Sequence, residues 1–194
     1  MSASVRIDSN RVRSFETALY AAFDPSRPPR SMELVETRWK NAAHKEIRNN
    51  DEQQIERILN WRPWPEVIGY RLAVDAVQIR TCISIPALCY YLPAMMLTGI
   101  YLNCAWGDFP LELDEYLYPP LDAKIREAFG GYGVLREGYD DYNLTRLTEF
   151  QKILRPAQRQ ICQEFLRIYF ELRWKPDQLE PFKALYDQLL DYWS

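Results

Sequence analysis

The spacing of apolar residues along the chain predicts a protein made mainly of helices. Apolar side chains recur every three or four positions in several stretches, which places them on one face of a helix. Near the N-terminus this spacing is followed by Val12, Phe15, Leu19 and Phe23. We therefore predict a first helix that begins close to position 9 and ends before Pro25.

Two further helices are predicted before the middle of the chain. Ser31 is suited to cap the first of them, which we expect to end at Asn49-Asn50. Asp51 opens a capping-box-like sequence, and the short helix that follows should stop at Trp61-Arg-Pro-Trp-Pro65. The next apolar positions are spaced as in a helix, but residues 77–85 alternate as in a strand. Because no comparable run is present to pair with them, we predict a helix that turns into extended chain.

The longest nearly uncharged run, Ser84–Leu102, is predicted to form the centre of the fold. Its first residue is suited to cap a helix, and Pro86 falls in the first turn, where its missing N–H costs nothing. Pro93 lies farther along, where proline removes a backbone hydrogen bond and clashes with the preceding turn. We expect the helix to bend there or to restart as a second helix.

The C-terminal half is expected to complete an all-α fold. Two short helical segments are predicted within residues 111–129, and a long helix should run from Pro156 to Lys175-Pro176. A last helix is expected from Leu179 to Tyr192. No long linker or repeat divides the chain. We predict one compact domain over residues 1–194, with about seven or eight helices around a central helix that is kinked by proline.

The composition narrows the classes of function. The chain has 194 residues, of which 47% are hydrophobic and 14% aromatic, so it has enough apolar material for a sizeable core. The net charge of −3 favours neither nucleic acid nor an anionic membrane as a partner. The central apolar run approaches the length of a membrane span, but it contains two prolines and a glycine and lacks a flanking basic cluster. We expect it to be buried core, and a cytoplasmic location follows because no signal sequence is evident.

Acidic residues and tyrosines are concentrated in one region. Residues 108–149 hold 10 acidic and 4 basic side chains, and an acidic face would steer a basic partner on encounter. A solvated surface is the alternative interpretation. Core packing explains Tyr90, Tyr91 and Tyr101 better than binding does. The predicted partner-binding set therefore comprises Asp108, Glu112, Asp114, Glu115, Tyr132, Tyr139, Asp140, Asp141 and Tyr142.

The side chains that carry enzyme chemistry do not form a recognisable site in the sequence. His44 is the only histidine, which argues against a zinc site or a Ser–His–Asp triad. The four cysteines form no Cys-x-x-Cys pair and are expected to be buried thiols, with Cys162 the least buried. The glycines of Gly130–Gly133 lack the Lys-Ser/Thr of a phosphate-binding loop. We predict no catalytic residue, no metal and no cofactor.

Two segments resemble a family of small bacterial proteins of unknown function. They are Tyr90-Tyr-Leu-Pro-Ala-Met-Met-Leu97 and Leu154-Arg-Pro-Ala-Gln-Arg-Gln-Ile-Cys-Gln-Glu-Phe-Leu166, and Trp61 or Trp64 resembles the tryptophan of that family. The chain departs from the family pattern in its long segment before Trp61 and in an extra helix after Pro176. The resemblance implies kinship and no catalytic residue.

A protein-binding role is the first functional hypothesis. Small acidic bacterial proteins without a recognisable active site often act as immunity proteins, and this analogy suggests that the chain binds and occludes a basic toxin domain. Its acidic and aromatic residues would form the contact surface. The alternative hypothesis is a small enzyme or ligand-binding regulator with a pocket beside the Pro93 bend.

Overall fold

The computed structural model describes five α-helices and a 3-10 helix. The described residues are 9–35, 53–69, 72, 83–102 and 149–173, together with 183, 187, 190, 191, 193 and 194. The helices are α1 (Ser9–Ala22), α2 (residues 53–59), α3 (Ile85–Tyr101), α4 (residues 149–153) and α5 (Pro156–Arg173), and the 3-10 helix is Trp64–Val67. The all-α class is confirmed for this part of the chain, where the only β pairing is an isolated bridge. The count within these residues is five α-helices rather than the predicted seven or eight.

Helix α1 forms as predicted and packs on α5. Phe15 and Leu19, which lie four positions apart on one face, are buried. The ring centroids of Phe15 and Phe165 are 6.4 Å apart, so an aromatic pair lies at the interface of the two helices. At one end of the interface, Arg155 donates a hydrogen bond to the carbonyl of Ala22 over 2.7 Å. The apolar stripe of the first helix was therefore identified correctly.

The segment that begins at Ser31 corrects the predicted second helix. Residues 31–35 form a turn and then an extended stretch, in which Val35 pairs with Ile83 in an antiparallel bridge. The backbone N–H of Ser84 donates to the carbonyl of Leu34 over 2.9 Å. Ser31 therefore does not cap a helix, because the backbone groups that follow it are paired with the segment before α3 instead of with each other. The rest of the predicted helix lies outside the described residues.

A left-handed turn separates α2 from the 3-10 helix. Asn60 and Trp61 have φ values of 43° and 48°, so the chain leaves the helix abruptly at the predicted position. The Trp61 indole donates to the carbonyl of Met32 over 2.9 Å, which fixes the turn against the 31–35 segment. The 3-10 helix ends at Ile68 in an extended conformation, so the helix predicted to continue through Ile68 is interrupted there. Gly69 follows with φ +129°, a conformation that favours glycine. Leu72 is helical again, and residues 70–71 and 73–82 lie outside the described residues.

Helix α3 is the centre of the core, as the sequence predicts. Ser84 caps it by accepting a hydrogen bond from the N–H of Ala87 over 3.2 Å, and its hydroxyl also donates to the carbonyl of Glu33. The helix continues through Pro93 as one element, so it does not restart there. Ten consecutive residues, 91–100, are buried, which agrees with an apolar run that is surrounded by protein. Among the described residues, no helix is long and apolar enough to cross a bilayer.

Helix α5 closes the core against α1 and α3. It begins at Pro156 as predicted, and the four predicted face residues are buried: Ile161, Phe165, Ile168 and Leu172. The C-terminal residues contact its other side. Gln163 donates to the carbonyl of Leu190 over 2.7 Å, and the Arg159 guanidinium lies 5.5 Å from the ring centroid of buried Trp193. Trp193, one position before the end of the sequence, is therefore part of the core.

Candidate functional site

The predicted partner-binding set, from Asp108 to Tyr142, lies outside the described residues. The same holds for His44 and for the glycines of Gly130–Gly133. These predictions are neither confirmed nor contradicted. The candidate site that the structure does describe is built from side chains elsewhere in the sequence, and the tyrosines of α3 lead to it.

Tyr91 and Tyr90 hold the turn after α2 against α3. Tyr91 is fully buried, and its hydroxyl donates to the carbonyl of Arg62 over 3.0 Å. Tyr90 is half-buried and accepts a hydrogen bond from the N–H of Trp64 over 3.2 Å, while it donates to the carbonyl of Ser26. Burial raises the pKa of both phenols, because the charged form would lose water contacts. Both tyrosines are structural, as predicted.

Tyr101 corrects the prediction that it packs in the core. It is the last residue of α3, and 51% of its surface is exposed. The apolar run continues past the point where the helix leaves the core, and sequence spacing does not reveal that exit. Partial burial, followed by the nearby negative charge of Glu16, raises the pKa of the Tyr101 phenol.

A second exposed tyrosine lies beside Glu16. Tyr20 is one helical turn farther along α1, so both side chains share a face of the helix. Its ring packs on Trp64 with centroids 4.6 Å apart and an angle of 45°, and 39% of Tyr20 remains exposed. Trp64 is fully buried, and its indole donates to the carbonyl of Asp24 over 3.0 Å. Tyr20 therefore rests on a fixed support.

We name Glu16, Tyr20 and Tyr101 the acidic tyrosine patch. Glu16 and Tyr20 share a face of α1, and, after burial, the charges of both raise the pKa of the Tyr101 phenol. Sequence reasoning missed the patch. The spacing of Glu16 and Tyr20 on the polar side of α1 was an available signal, but nothing in the sequence links them to Tyr101 across more than eighty positions. Tyrosine is enriched at protein interfaces, and a carboxylate beside it would mainly steer a basic partner.

The cysteines of the described residues are structural. Cys162 on α5 is fully buried and Cys89 on α3 is half-buried, so the prediction that Cys162 is the least buried is wrong. Cys162 lies on the same helical face as Phe165 and Tyr169, which explains its burial. Burial raises the pKa of the Cys89 thiol to about 12 and that of Cys162 as well. Neither thiol has the lowered pKa of a cysteine nucleophile.

The charged cluster between α1 and α5 joins two helices. Arg11 bonds Glu164 over 3.1 Å and also pairs with Glu171, while Arg167 reaches Glu164 over 3.3 Å. All four side chains are paired within the cluster and are at least 31% exposed. The described residues contain no group of three or more side chains that could hold a metal ion. This cluster is best explained as interface support.

The surroundings of Pro93 are filled with apolar side chains. Leu92, Ala94 and Met96 are fully buried, and Thr98 uses its hydroxyl to accept a hydrogen bond from the N–H of Gly69 over 3.0 Å. Buried apolar residues of this kind are the arrangement expected of a core. The alternative hypothesis of an enzyme or regulator with a site beside Pro93 stays a prediction.

Comparison with protein-family models, with curated proteins and with solved structures found no match. The resemblance to a small bacterial family therefore stays a prediction. Within the described residues, the exposed tyrosines Tyr20 and Tyr101 and the Glu16 carboxylate are the side chains from which a functional argument can start.

Proposed function

We propose that the protein is a cytoplasmic protein-binding module that binds a basic toxin domain and occludes it, as an immunity protein does. The observation that carries the proposal is an exposed tyrosine, Tyr20, which packs on buried Trp64 and shares a face of α1 with the Glu16 carboxylate. The same composition marks the sequence of residues 108–142, which follows α3 along the chain. The contact surface would combine both regions.

Tyrosine and carboxylate make different contributions to such a surface. A tyrosine ring adds a large contact area with a polar tip, and residues of this type dominate the binding energy of many interfaces. Carboxylates attract a basic partner before contact and mainly raise the association rate. A basic partner is therefore the chemistry that fits both regions, and binding alone would block the partner by covering its working surface.

The proposal is tested by purifying tagged protein from its native host. We expect one stoichiometric partner, encoded beside this chain, and an association rate that falls by about tenfold at low salt when Asp140 and Asp141 are changed to lysine. The matched control reverses the same number of charges at Asp187 and Asp191, which lie on the C-terminal helical segment and are exposed. The control should change the rate by less than about threefold.

Two outcomes would contradict the proposal. One is the absence of any stoichiometric partner in the host. The other is a partner whose association rate responds equally to both charge reversals, since the response would then reflect net charge and not a contact surface.

A further inference from the structure

We propose that Arg30, which is stacked on the ring of Trp61, binds a carboxylate group of a partner protein. This pair, named here the Arg30–Trp61 stack, lies where the turn after α1 meets the turn after α2. It shares no residue with the acidic tyrosine patch. The inference goes beyond the proposed function and rests on it only for the statement that the carboxylate belongs to a protein.

Met32 positions both members of the stack. Its backbone N–H donates to the carbonyl of Pro29 over 2.9 Å, which closes a four-residue turn with Arg30 at the second position. The carbonyl of Met32 accepts the hydrogen bond of the Trp61 indole over 2.9 Å. The Arg30 guanidinium carbon then lies 5.3 Å from the centroid of the Trp61 ring, which is a cation–π distance. The guanidinium and its aromatic support are therefore fixed by the same short segment.

The backbone on both sides of the stack has little freedom. The φ angles of Pro28 and Pro29 are set by their rings, and Pro28 is buried. On the other side, Asn60 and Trp61 have φ values of 43° and 48°, a left-handed conformation that is rare for a bulky aromatic residue. Such a conformation costs free energy and is found preferentially where a side chain must be held for binding. The fold therefore holds the Trp61 ring in place before any ligand arrives.

The guanidinium of Arg30 keeps its hydrogen-bond donors available. Stacking uses the flat face of the group, whereas its five N–H donors point outward in the plane. Arg30 is exposed, and no acceptor in the described part of the chain pairs with it. Other arginines already donate to the protein, to carboxylates in the case of Arg11 and Arg167 and to backbone carbonyls in the case of Arg62 and Arg155. Arg30 is therefore positioned and still open to a ligand.

A carboxylate is the oxyanion that fits this position. Two parallel N–H groups of a guanidinium match the two oxygens of a carboxylate. They also match phosphate, but residues 24–33 carry two basic and two acidic side chains, so the surroundings offer no excess charge for a dianion. Arginine and tryptophan are also the residue types that dominate binding energy at many protein interfaces. The stack is therefore suited to an aspartate or glutamate of a partner.

The binding experiment uses a model carboxylate as the probe. N-acetylglutamate methylamide is titrated into nitrogen-15-labelled protein at constant ionic strength, and the Nε signals of the arginines are followed. The Arg30 signal is assigned by its loss in Arg30→Lys, and the control is the signal of Arg57, an exposed arginine on α2. We expect a saturable shift at Arg30, with affinity at least about threefold higher than at Arg57. A shift that never saturates, or equal affinity at both arginines, would overturn the proposal.

Two further probes test which property of the ligand is recognised. N-acetylglutamine methylamide has the same size without the charge, and it should not shift the Arg30 signal. Methyl phosphate is largely a dianion at pH 7, and it should bind no more than about threefold more tightly than the carboxylate. A shift of equal size with the neutral probe would overturn the proposal. A larger gain with methyl phosphate would make this a phosphate site and overturn the carboxylate assignment.

Two variants separate the planar group from its charge and from its support. Arg30→Lys keeps the charge but loses the fork of donors, and it should weaken carboxylate binding at least about threefold, followed at the indole N–H signal of Trp61. Trp61→Leu removes the support and should weaken binding at Arg30 by a similar factor. Circular dichroism verifies that each variant is folded, and Arg30→Lys is sufficient if Trp61→Leu does not fold. Unchanged affinity in Arg30→Lys would contradict the assignment.

The inference and the proposed function fail separately. A purified partner that binds the Arg30→Lys variant as tightly as the original chain would remove the stack from the interface and leave the binding role intact. Carboxylate binding at Arg30 without any partner in the host would support the site and remove the function. If the Arg30 signal shifts with protein concentration alone, the carboxylate belongs to a second copy of this chain, and the assignment to a different protein is wrong.

Discussion

Tyr91 and Tyr101 lie ten positions apart on α3, and their surroundings are opposite. Tyr91 is enclosed by protein and donates its hydroxyl to a backbone carbonyl of the segment before the 3-10 helix. Tyr101 is half exposed at the end of the same helix. The difference shows that burial and a backbone partner for the hydroxyl, and not the residue type or the apolar run around it, separate a structural tyrosine from a surface one.

The same contrast separates Trp64 from Tyr20, which contact each other. Trp64 has its whole surface covered, and Tyr20 covers part of it while showing its other side to solvent. The buried member supports the exposed one, so the interior of the molecule and its candidate site are mechanically connected. Changes on the buried side should affect both stability and the site, whereas changes on the exposed side should affect only the site.

The largest expected effect on stability follows the removal of Trp64, the buried residue of this pair. Trp64→Ala should lower the free energy of unfolding by about 3–5 kcal/mol, because it removes a fully enclosed indole and leaves a cavity. Urea denaturation measures the loss. Ile153→Ala is the control, since Ile153 is a large apolar side chain that is 55% exposed, and it should cost less than about 0.5 kcal/mol. Similar losses in the free energy of unfolding for the two variants would contradict the assignment of Trp64 to the interior and Ile153 to the surface.

The burial of α3 can be tested through the pH dependence of stability and the reactivity of the Cys89 thiol. Its pKa is about 12 in the folded protein against 9.0 for an ordinary thiol, because burial disfavours the thiolate. Folding therefore gains stability from the neutral thiol below pH 9, and this contribution falls as the pH rises from about 9 to 12. At pH 9, alkylation of Cys89 by iodoacetamide should be at least about a hundredfold slower in native than in urea-unfolded protein. Mass spectrometry of the Cys89 peptide measures both rates, and equal rates would contradict the burial.

The two tyrosines of α3 give the most direct comparison. Tyr91→Phe should lower the free energy of unfolding by about 1–2 kcal/mol, because it leaves the Arg62 carbonyl without its donor inside the protein. Tyr101→Phe should change it by less than about 0.5 kcal/mol, because Tyr101 is half exposed and its hydroxyl exchanges hydrogen bonds with solvent. Thermal or urea unfolding distinguishes the values. Equal losses would mean that Tyr101 is structural after all.

The smallest expected effect is at the ion pairs between α1 and α5. The side chains of Arg11 and Glu164 are 31% and 33% exposed, so solvent screens their attraction. A double-mutant cycle with Arg11→Met and Glu164→Gln should give a coupling energy below about 1 kcal/mol, and 1 M salt should reduce it further. A coupling energy above about 2 kcal/mol would show that this cluster, rather than the apolar core, joins the helices.

Local sequence signals predicted those helices whose first residues and apolar face are both evident in the helix's own sequence. Ser84 with Pro86, and Pro156 with the apolar positions after it, determined the beginnings of α3 and α5 correctly. The predictions failed where backbone groups form hydrogen bonds with a segment that is distant in the sequence. Ser31 has the character of a cap, but the residues after it pair with Ile83 and Ser84, about fifty positions away. Local pattern contains no information about such a partner.

The candidate site was less predictable than the fold for the same reason. Tyr101 belongs to an apolar run, and only the point at which α3 leaves the core decides that it is exposed. The exposure of Tyr20 likewise depends on the position of Trp64. Sequence reasoning recognised tyrosines and carboxylates as a binding composition, but the set that it named lies in another part of the chain.

The hydroxyl of Tyr90 also bears on the order in which the chain assembles. It accepts from Trp64, which is 26 positions away, and donates to Ser26, which is 64 positions away. Each contact requires a loop of that length to close, and closure costs entropy before the contact forms. The turn that follows α1 and the segment at Trp64 are therefore expected to become ordered late, after α3 has formed. A Tyr90→Phe variant should accordingly unfold faster while its refolding rate stays nearly unchanged.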